Sequence, residues 1–288
     1  MLNGKSIIDV ISARYSCRTY HDTPIELALQ QQLTAFMEAH AVGPLGMHLR
    51  LLLAAANEAD RQALKGLSTY GFIKGATGFI LGATPEGRMN LEDFGYVMEH
   101  VVLYATSLGL GTCWIGGTFA KSRFAARLEL RDNESLPAVI ALGYCAAQRR
   151  LPEAAIRRQA NADRRLPWER LFFDDVFGVP LNRDAAGPFA TALDGVRMGP
   201  SASNKQPWRI VKAGEKWHFY VQRTPGYARR NRFLLDIADM QRIDMGIAMG
   251  HFALIAEELG QRGQWVIREP AIQKPDPLTE YVVTWEPA

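Results

Sequence analysis

The sequence predicts an α+β fold made of two diverged copies of one unit, and a repeated helix is the first observation behind this prediction. Residues 95–114 match residues 246–265 without a gap at a constant shift of 151 positions (246 minus 95). The identical pairs are Gly95/Gly246, Met98/Met249, His100/His251, Leu103/Leu254, Ala105/Ala256, Leu108/Leu259, Gly109/Gly260 and Trp114/Trp265. Unrelated amphipathic helices share leucines and alanines readily, but not glycines, a histidine and a tryptophan in one register. We therefore expect a duplicated helix that ends at a glycine in each half.

The order of the remaining segments is the second observation. Each half carries a strand-like run after a Gly-Pro pair, at residues 49–56 and 208–214, and each half ends on an apolar strand, at residues 138–144 and 280–285. These runs are rich in branched and aromatic residues, which favour strands. Because the repeated helix separates the strands of each half, each sheet must be assembled from distant segments, which is typical of α+β proteins.

The duplication also predicts how the chain is organised. We assign residues 1–150 to an N-terminal repeat, residues 151–165 to a connector and residues 166–288 to a C-terminal repeat. Duplicated halves commonly keep the symmetry of an ancestral homodimer, whose interface uses the same patch twice. A chain that contains both halves needs no second copy for this interface, so we expect a monomer.

Composition excludes several classes of partner. The net charge is only +3, with no dense basic block, so no nucleic-acid partner is expected. The apolar runs are far shorter than a membrane span, and the N-terminus has no targeting pattern. Cys17, Cys113 and Cys145 are odd in number and widely spaced, which is typical of a reducing compartment. We therefore expect a cytoplasmic protein that does not bind membranes.

Histidines and cysteines do not point to a metal or to a nucleophile. No His or Cys pair has the spacing of metal ligands, so no metal site is predicted. His100 and His251 match across the repeat, which favours a packing role over catalysis. Cys113, beside Trp114, has no feature of an activated thiolate and is expected to be a small buried hydrophobic residue.

Three motifs resemble those of the nitroreductase-like flavoproteins. Residues 14–18, Arg-Tyr-Ser-Cys-Arg, match the Arg-x-Ser-x-Arg/Lys opening of that family. Residues 109–117 are similar to its Gly-Leu-Gly-x-x-Trp-Ile-Gly segment, and residues 199–208 to its Pro-Ser-x-x-Asn-x-Gln-Pro-Trp loop. The tandem arrangement resembles a single-chain branch of the family. The resemblance implies a nitroreductase-like fold whose two diverged repeats form an intramolecular pseudo-dimer.

The same resemblance implies an FMN site at the interface between the two halves. The cofactor-binding residues that it implies are Arg14, Ser16, Arg18, Lys74, Ile115, Gly116, Gly117, Arg149 and Arg150 from the first half and Pro200, Ser201, Ser203 and Asn204 from the second. Guanidinium forks suit the flavin phosphate, and a cation beside the N1–C2=O edge of the ring raises its potential. Glycine at positions 116 and 117 permits close approach of backbone N–H groups to N5 of the ring.

The repeat itself indicates that only one such site survives. At the shift of 151, Arg18 corresponds to Glu169, whose carboxylate would repel the flavin phosphate or the electron-rich edge of the ring. When the two Gly-Pro pairs are aligned, Met47 takes the place of Ser203. Each half has therefore kept only the components of one interface, and we expect one composite FMN site per chain.

The activity that the resemblance implies is that of an FMN-dependent oxidoreductase. NADH or NADPH would reduce the flavin as a transient reductant, and a small electron-poor acceptor, such as a nitroaromatic or a quinone, would take the electrons. The chemistry is centred on the flavin, so no catalytic side chain is predicted. Another flavin reaction on the same fold, such as flavin cleavage or dehalogenation, and non-catalytic flavin binding or sensing are the alternatives.

Overall fold

The computed structural model describes residues 1–56, 64–147, 153, 158, 161–162, 164–227 and 237–288. The elements of the first half are α1 (Ile7–Ala13), α2 (Leu27–Ala39), β1 (Arg50–Ala55), β2 (Gly78–Pro85), α3 (Asn90–Ser107), β3 (Gly111–Ile115), α4 (Lys121–Leu128), β4 (Glu134–Ser135) and β5 (Val139–Gly143). Those of the second half are β6 (Phe172–Asp174), α5 (Arg183–Ala186), α6 (Phe189–Met198), β7 (Trp208–Ala213), β8 (Lys216–Gln222), α7 (Met240–Glu258), β9 (Gly263–Val266) and β10 (Thr279–Pro287). Short 3-10 helices lie at Trp168–Arg170 and Ala202–Asn204.

Each half builds its own sheet. The first sheet has the order β1-β2-β5-β3, with β4 paired to β2, and its strands are antiparallel. The second has the order β6-β7-β8-β10-β9, in which β6 and β7 run parallel and the other pairs antiparallel. The four strands predicted from the sequence are found as β1, β5, β7 and β10. The predicted α+β class is therefore confirmed.

The repeated helices α3 and α7 lie against each other at the centre of the molecule. Nearly every residue of both helices is buried, which explains why they are apolar on most of their surface. Each helix is followed by a glycine with a positive φ, Gly109 at 85° and Gly260 at 75°, where other residues are strained. The duplicated helix that the repeat predicted is thus present in both halves.

The contact between these helices has approximate twofold symmetry. A Cβ atom at Gly95 would overlap the carbonyl oxygen of Ile243, and a Cβ atom at Gly246 would overlap the carbonyl oxygen of Glu92. Positions 92 and 243 are related by the same shift of 151 as positions 95 and 246. One contact is therefore made twice with the halves exchanged, as in an isologous dimer interface. The two diverged repeats form an intramolecular pseudo-dimer.

The described residues form three buried hydrophobic clusters. One surrounds α7 and includes Trp208 and Phe252, another surrounds α3 and includes Phe94 and Ile80, and a third includes Phe124. The cluster around α7 also takes in residues of α1 and α3, and the cluster around α3 takes in residues of α7. The two halves are therefore packed together through their cores. No described helix has the length and apolar character that crossing a membrane requires.

The central crossing gives a direct test of the pseudo-dimer. We expect Gly246→Ala to lower the free energy of unfolding by about 2–3 kcal/mol, because the added methyl group meets backbone and the helices must separate. The matched control is Gly250→Ala in the same helix, where the new Cβ would lie 3.3 Å from the ring of His100. Since alanine is the better helix former, the control should change stability by less than about 1 kcal/mol. Urea unfolding measures both, and equal effects would contradict the tight crossing.

Candidate functional site

A cavity of about 320 Å³ lies between the two halves. Its walls come from the end of α1 and β3 in the first half and from the loop after α6 and the start of α7 in the second. The lining residues are Ser16, Arg18, Trp114, Gly116, Gly117, Thr118, Pro200, Ser201, Ala202, Ser203, Tyr227, Ile237, Met240, Ile243, Asp244 and Ile247. The volume is within the range of small-molecule sites in proteins.

The structure brings together part of the predicted site. Seven predicted residues line the cavity, namely Ser16, Arg18, Gly116, Gly117, Pro200, Ser201 and Ser203. Ile115, Arg14, Lys74 and Asn204 do not line it, although Ile115 precedes the wall at Gly116 and Lys74 binds the carbonyl of Arg18 through its own backbone N–H, at 3.0 Å. Arg149 and Arg150 lie outside the described residues, as does most of the predicted connector. The cofactor-binding roles of all thirteen predicted residues stay predictions.

The loop that begins at Pro200 has a strained backbone. Ser203, Asn204 and Gln206 have φ values of 52°, 52° and 49°, in the left-handed region that favours glycine. Ser201 Oγ accepts a hydrogen bond from Gln206 N at 2.9 Å, and the buried Gln206 side chain accepts one from Leu166 N at 2.8 Å. These bonds hold the strained loop in place. The glutamine of the sequence motif therefore shapes the loop from behind.

Asn204 has the same supporting position. Its side-chain amide donates to the carbonyl oxygens of Asn161 and Arg164, at 2.7 and 3.0 Å, and so ties the loop to the segment before the second repeat. In the described part of the chain, the motif thus divides into residues that face the cavity, such as Ser201 and Ser203, and residues that hold the loop. Sequence patterns alone do not separate these two groups.

The two glycines after β3 lie under side chains of the second half. A Cβ atom at Gly116 would lie 2.6 Å from Sδ of Met240, and one at Gly117 would overlap Cδ1 of Ile237. Glycine is required here because the second half covers this stretch of backbone closely. The backbone of residues 116 and 117 therefore remains in the cavity wall, with no side chain of its own between it and a ligand.

A buried polar cluster supports the wall from behind. The Trp114 indole donates from Nε1 to Glu99 Oε2 at 2.7 Å, and His251 of the other half contacts Glu99 Oε1 at 2.9 Å. The Arg14 guanidinium is 4.0 Å from the same carboxylate. Arg14, whose side chain is 6% exposed, therefore lies beside a carboxylate inside the protein and is not among the residues that line the cavity.

The two histidines of the repeat are both held by buried hydrogen bonds. The ring nitrogens of His251 contact the Gly195 carbonyl at 2.8 Å and the Glu99 carboxyl group at 2.9 Å. His100 Nδ1 contacts the Tyr96 carbonyl at 2.8 Å, and burial lowers the pKa of its imidazole to about 4. Both side chains therefore serve the packing between the halves.

Sequence reasoning missed two acidic residues of this region. Glu99 corresponds to Gly250 in the repeat. A glutamate in one copy and a glycine in the other, on an otherwise buried helix, is a sequence signal that could have indicated a special role for Glu99. Asp244 corresponds to Asp93 and lies just outside the segment that was aligned. Cys113 is a buried free thiol whose pKa is raised by burial, as the prediction of a small buried hydrophobic residue requires.

Removal of the charge on Glu99 tests the cluster. Because the buried guanidinium of Arg14 would lose the carboxylate beside it, we expect Glu99→Gln to lower the free energy of unfolding by about 3–5 kcal/mol. Glu280→Gln is the matched control, since the pair of Glu280 with Arg223 is half exposed and is expected to contribute less than about 1 kcal/mol. Denaturant unfolding, together with near-ultraviolet circular dichroism of the tryptophans, measures both. A loss at Glu99 no larger than at Glu280 would contradict the assignment.

Comparisons with known proteins agree with this architecture. The family model described as "Putative TM nitroreductase" matches residues 6–256. A solved Thermotoga maritima structure described as a "putative nitroreductase" is similar over 99% of this chain and 95% of its own, with a TM-score of 0.61 and 17% identity. No curated protein matched the chain.

Half-length structures also match. A nitroreductase family protein from Clostridium difficile 630 covers 56% of this chain with 92% of its own, at 21% identity and a TM-score of 0.41. An "FMN-dependent Nitroreductase" from Clostridium difficile R20291 covers 50% with 90% of its own, at 20% identity and a TM-score of 0.41. The family model spans most of the chain, and both the fold and the three sequence motifs agree with it. The chain therefore belongs to this nitroreductase family.

Proposed function

We propose that the chain is an FMN-dependent oxidoreductase, which passes electrons from NADH or NADPH to a small electron-poor acceptor of the nitroaromatic or quinone type. One observation carries the proposal. The cavity lies between Arg18 and the backbone of Gly116 and Gly117 from one half and the loop that begins at Pro200 from the other. This is the division of roles that the three sequence motifs implied.

The lining residues fit the ring end of a flavin. An isoalloxazine is a flat aromatic system with a polar pyrimidine edge, and it needs apolar walls together with a few hydrogen-bonding groups. Trp114, Met240 and Ile247 supply apolar surface, while Ser16 and Ser201 supply hydroxyl groups. Arg149 and Arg150 remain the proposed ligands of the flavin phosphate. Arg14, which does not line the cavity, is proposed to contribute positive charge from inside the protein.

When bound, FMN would supply the hydride chemistry, which no side chain of this cavity can perform alone. The residues of the chain would position it and set the local charge. Arg18 places a permanent positive charge in the wall, and such a charge stabilises an anionic ring edge. The N–H groups of Gly116 and Gly117 would approach the ring closely because neither residue has a side chain of its own.

We further propose a single FMN per chain and a monomeric enzyme. At the position of Arg18, the other half carries Glu169, which would repel an anionic ligand. At the position of the cavity-lining Ser203, the other half carries Met47, which packs against the core cluster around α3. Both interfaces of the ancestral dimer are already contained in this chain, so FMN binding needs no second copy.

The flavin content of the purified protein tests the proposal. We expect about one FMN per chain after denaturation, because only one interface keeps the implied binding residues. Oxidation of NADH or NADPH should depend on an added quinone or nitroaromatic. Bound flavin without such turnover would favour the sensing alternative, and conversion of flavin or halogenated compounds would favour the other reactions. Two FMN per chain, or none after reconstitution, would contradict the proposal.

The role of Arg18 has its own test. We expect Arg18→Gln to weaken FMN binding about 10- to 100-fold, because a charge-assisted contact to the ring edge is lost. Glu169→Gln, at the equivalent position of the other half, is the matched control and should leave both affinity and stoichiometry unchanged. Fluorescence titration of the apoprotein with FMN measures both variants, and equal affinities would remove Arg18 from the site.

A further inference from the structure

Asp244 differs from the other buried polar residues of the cavity wall. It lies near the N-terminus of α7 and is 1% exposed. Its Oδ1 accepts a hydrogen bond from Ala202 N at 2.9 Å. Its Oδ2 is buried and has no hydrogen-bond partner among the residues that the structure describes. A buried oxygen of this kind costs free energy unless a proton or a ligand satisfies it.

The equivalent aspartate of the first half, Asp93, has a purely structural role and serves as a comparison for Asp244. Asp93, related to Asp244 by the shift of 151 (244 minus 93), is also fully buried. Its two oxygens accept from Leu45 N at 3.0 Å and from Met47 N at 2.8 Å, so both hold the loop after the first Gly-Pro pair. In the second half only the backbone N–H of Ala202 donates to Asp244 among the described residues, and Oδ2 has no such donor.

The surroundings favour the protonated form of Asp244. Burial raises the pKa of Asp93 to about 6, although its two N–H bonds act in the opposite direction. For Asp244 only one N–H bond opposes burial, and the pKa is raised well above the usual range of a carboxyl group. The charged and titratable groups around it are Asp239 at the start of the same helix, Arg223 paired with Asp239, Arg18 and Tyr227 in the cavity wall, and Glu92 of α3 paired with Arg242.

We propose that Asp244 is a catalytic residue of the cavity, whose neutral carboxyl group donates from Oδ2 the proton that an acceptor needs when it is reduced there. The inference rests on the proposed function, because it presumes that an acceptor takes electrons in this cavity. The side chains next to Asp244 on α7 that line the cavity, Met240, Ile243 and Ile247, are apolar. Among the described residues that line the cavity, Asp244 is the one with a carboxyl group, and a carboxyl group that holds its proton can act as a general acid.

The step balances for a quinone. Two-electron reduction to the hydroquinone requires one hydride and one proton. The hydride, which FMN reduced by NADH or NADPH would supply when bound, would form one new O–H bond. The proton leaves Oδ2 of Asp244 and forms the other O–H bond, and the Asp244 carboxylate then recovers a proton from water. A one-electron acceptor such as ferricyanide takes up no proton and would not use Asp244.

The two aspartates provide a matched pair of variants in the FMN-loaded enzyme. Asp244→Asn keeps the acceptor for Ala202 N and removes the acidic proton, whereas Asp93→Asn makes the same change in the other half. We expect Asp244→Asn to reduce quinone turnover about 100-fold, in line with the usual contribution of a general acid, and to leave ferricyanide turnover within about twofold. Asp93→Asn should change neither rate. Equal losses with both acceptors would mean a structural role and overturn the proposal.

Two measurements on the wild-type protein keep the proposal testable if Asp244→Asn fails to bind FMN. The ratio of quinone to ferricyanide turnover must fall as the pH rises through the raised pKa of Asp244, since only the protonated acid donates. A ratio that stays constant up to the most alkaline pH at which the enzyme remains folded would overturn the proposal.

The second measurement does not depend on the flavin. Infrared spectra of the apoprotein near pH 8, where Asp93 is ionised, should contain a carboxylic-acid band that disappears in Asp244→Asn and remains in Asp93→Asn. Absence of this band would also overturn the proposal. Failure of the proposed function would look different, because the wild type would then lack flavin or acceptor-dependent turnover while the infrared band persisted.

Discussion

The close crossing of α3 and α7 is the constraint on which the rest of the molecule depends. Gly95 and Gly246 let each helix approach the backbone of the other, at Ile243 and Glu92. Any larger residue at these positions would push the halves apart. Because both contacts obey the same shift along the sequence, the crossing preserves within one chain the geometry of an isologous dimer.

This crossing creates a cavity with two different walls. The first half brings Arg18 and Trp114, and the second brings the loop from Pro200 and the start of α7. Behind the wall, Glu99 binds His251 of the opposite half and the indole of Trp114, so the same interface that assembles the cavity also orients its lining. Divergence of the halves has then acted locally. Position 99 of the first half carries a glutamate, whereas the equivalent position 250 of the second half carries a glycine. Both halves nevertheless keep the glycine contacts of the helix crossing.

Equivalent residues of the two halves can have different hydrogen-bond partners, as one pair of aspartates shows. Asp93 and Asp244 have the same burial and the same helical position, yet one uses both oxygens to hold a loop and the other keeps one oxygen without a partner in the described residues. The two loops present different backbone N–H groups, those of Leu45 and Met47 in the first half and that of Ala202 in the second. The same residue type at the same helical position therefore has different contacts in the two copies.

The sequence by itself determined the α+β class, the duplicated helix with its terminal glycines, four of the strands and the membership of Ser16, Arg18 and the Pro200 loop in one site. These features rest on local periodicity and on motifs, which a sequence carries directly. Only the tertiary structure decided that Arg14 faces Glu99, that Asn204 and Gln206 support the loop from behind, and that Asp244 stands in the wall. Side-chain direction and hydrogen-bond partners depend on residues far apart in the chain, and no local pattern contains that information.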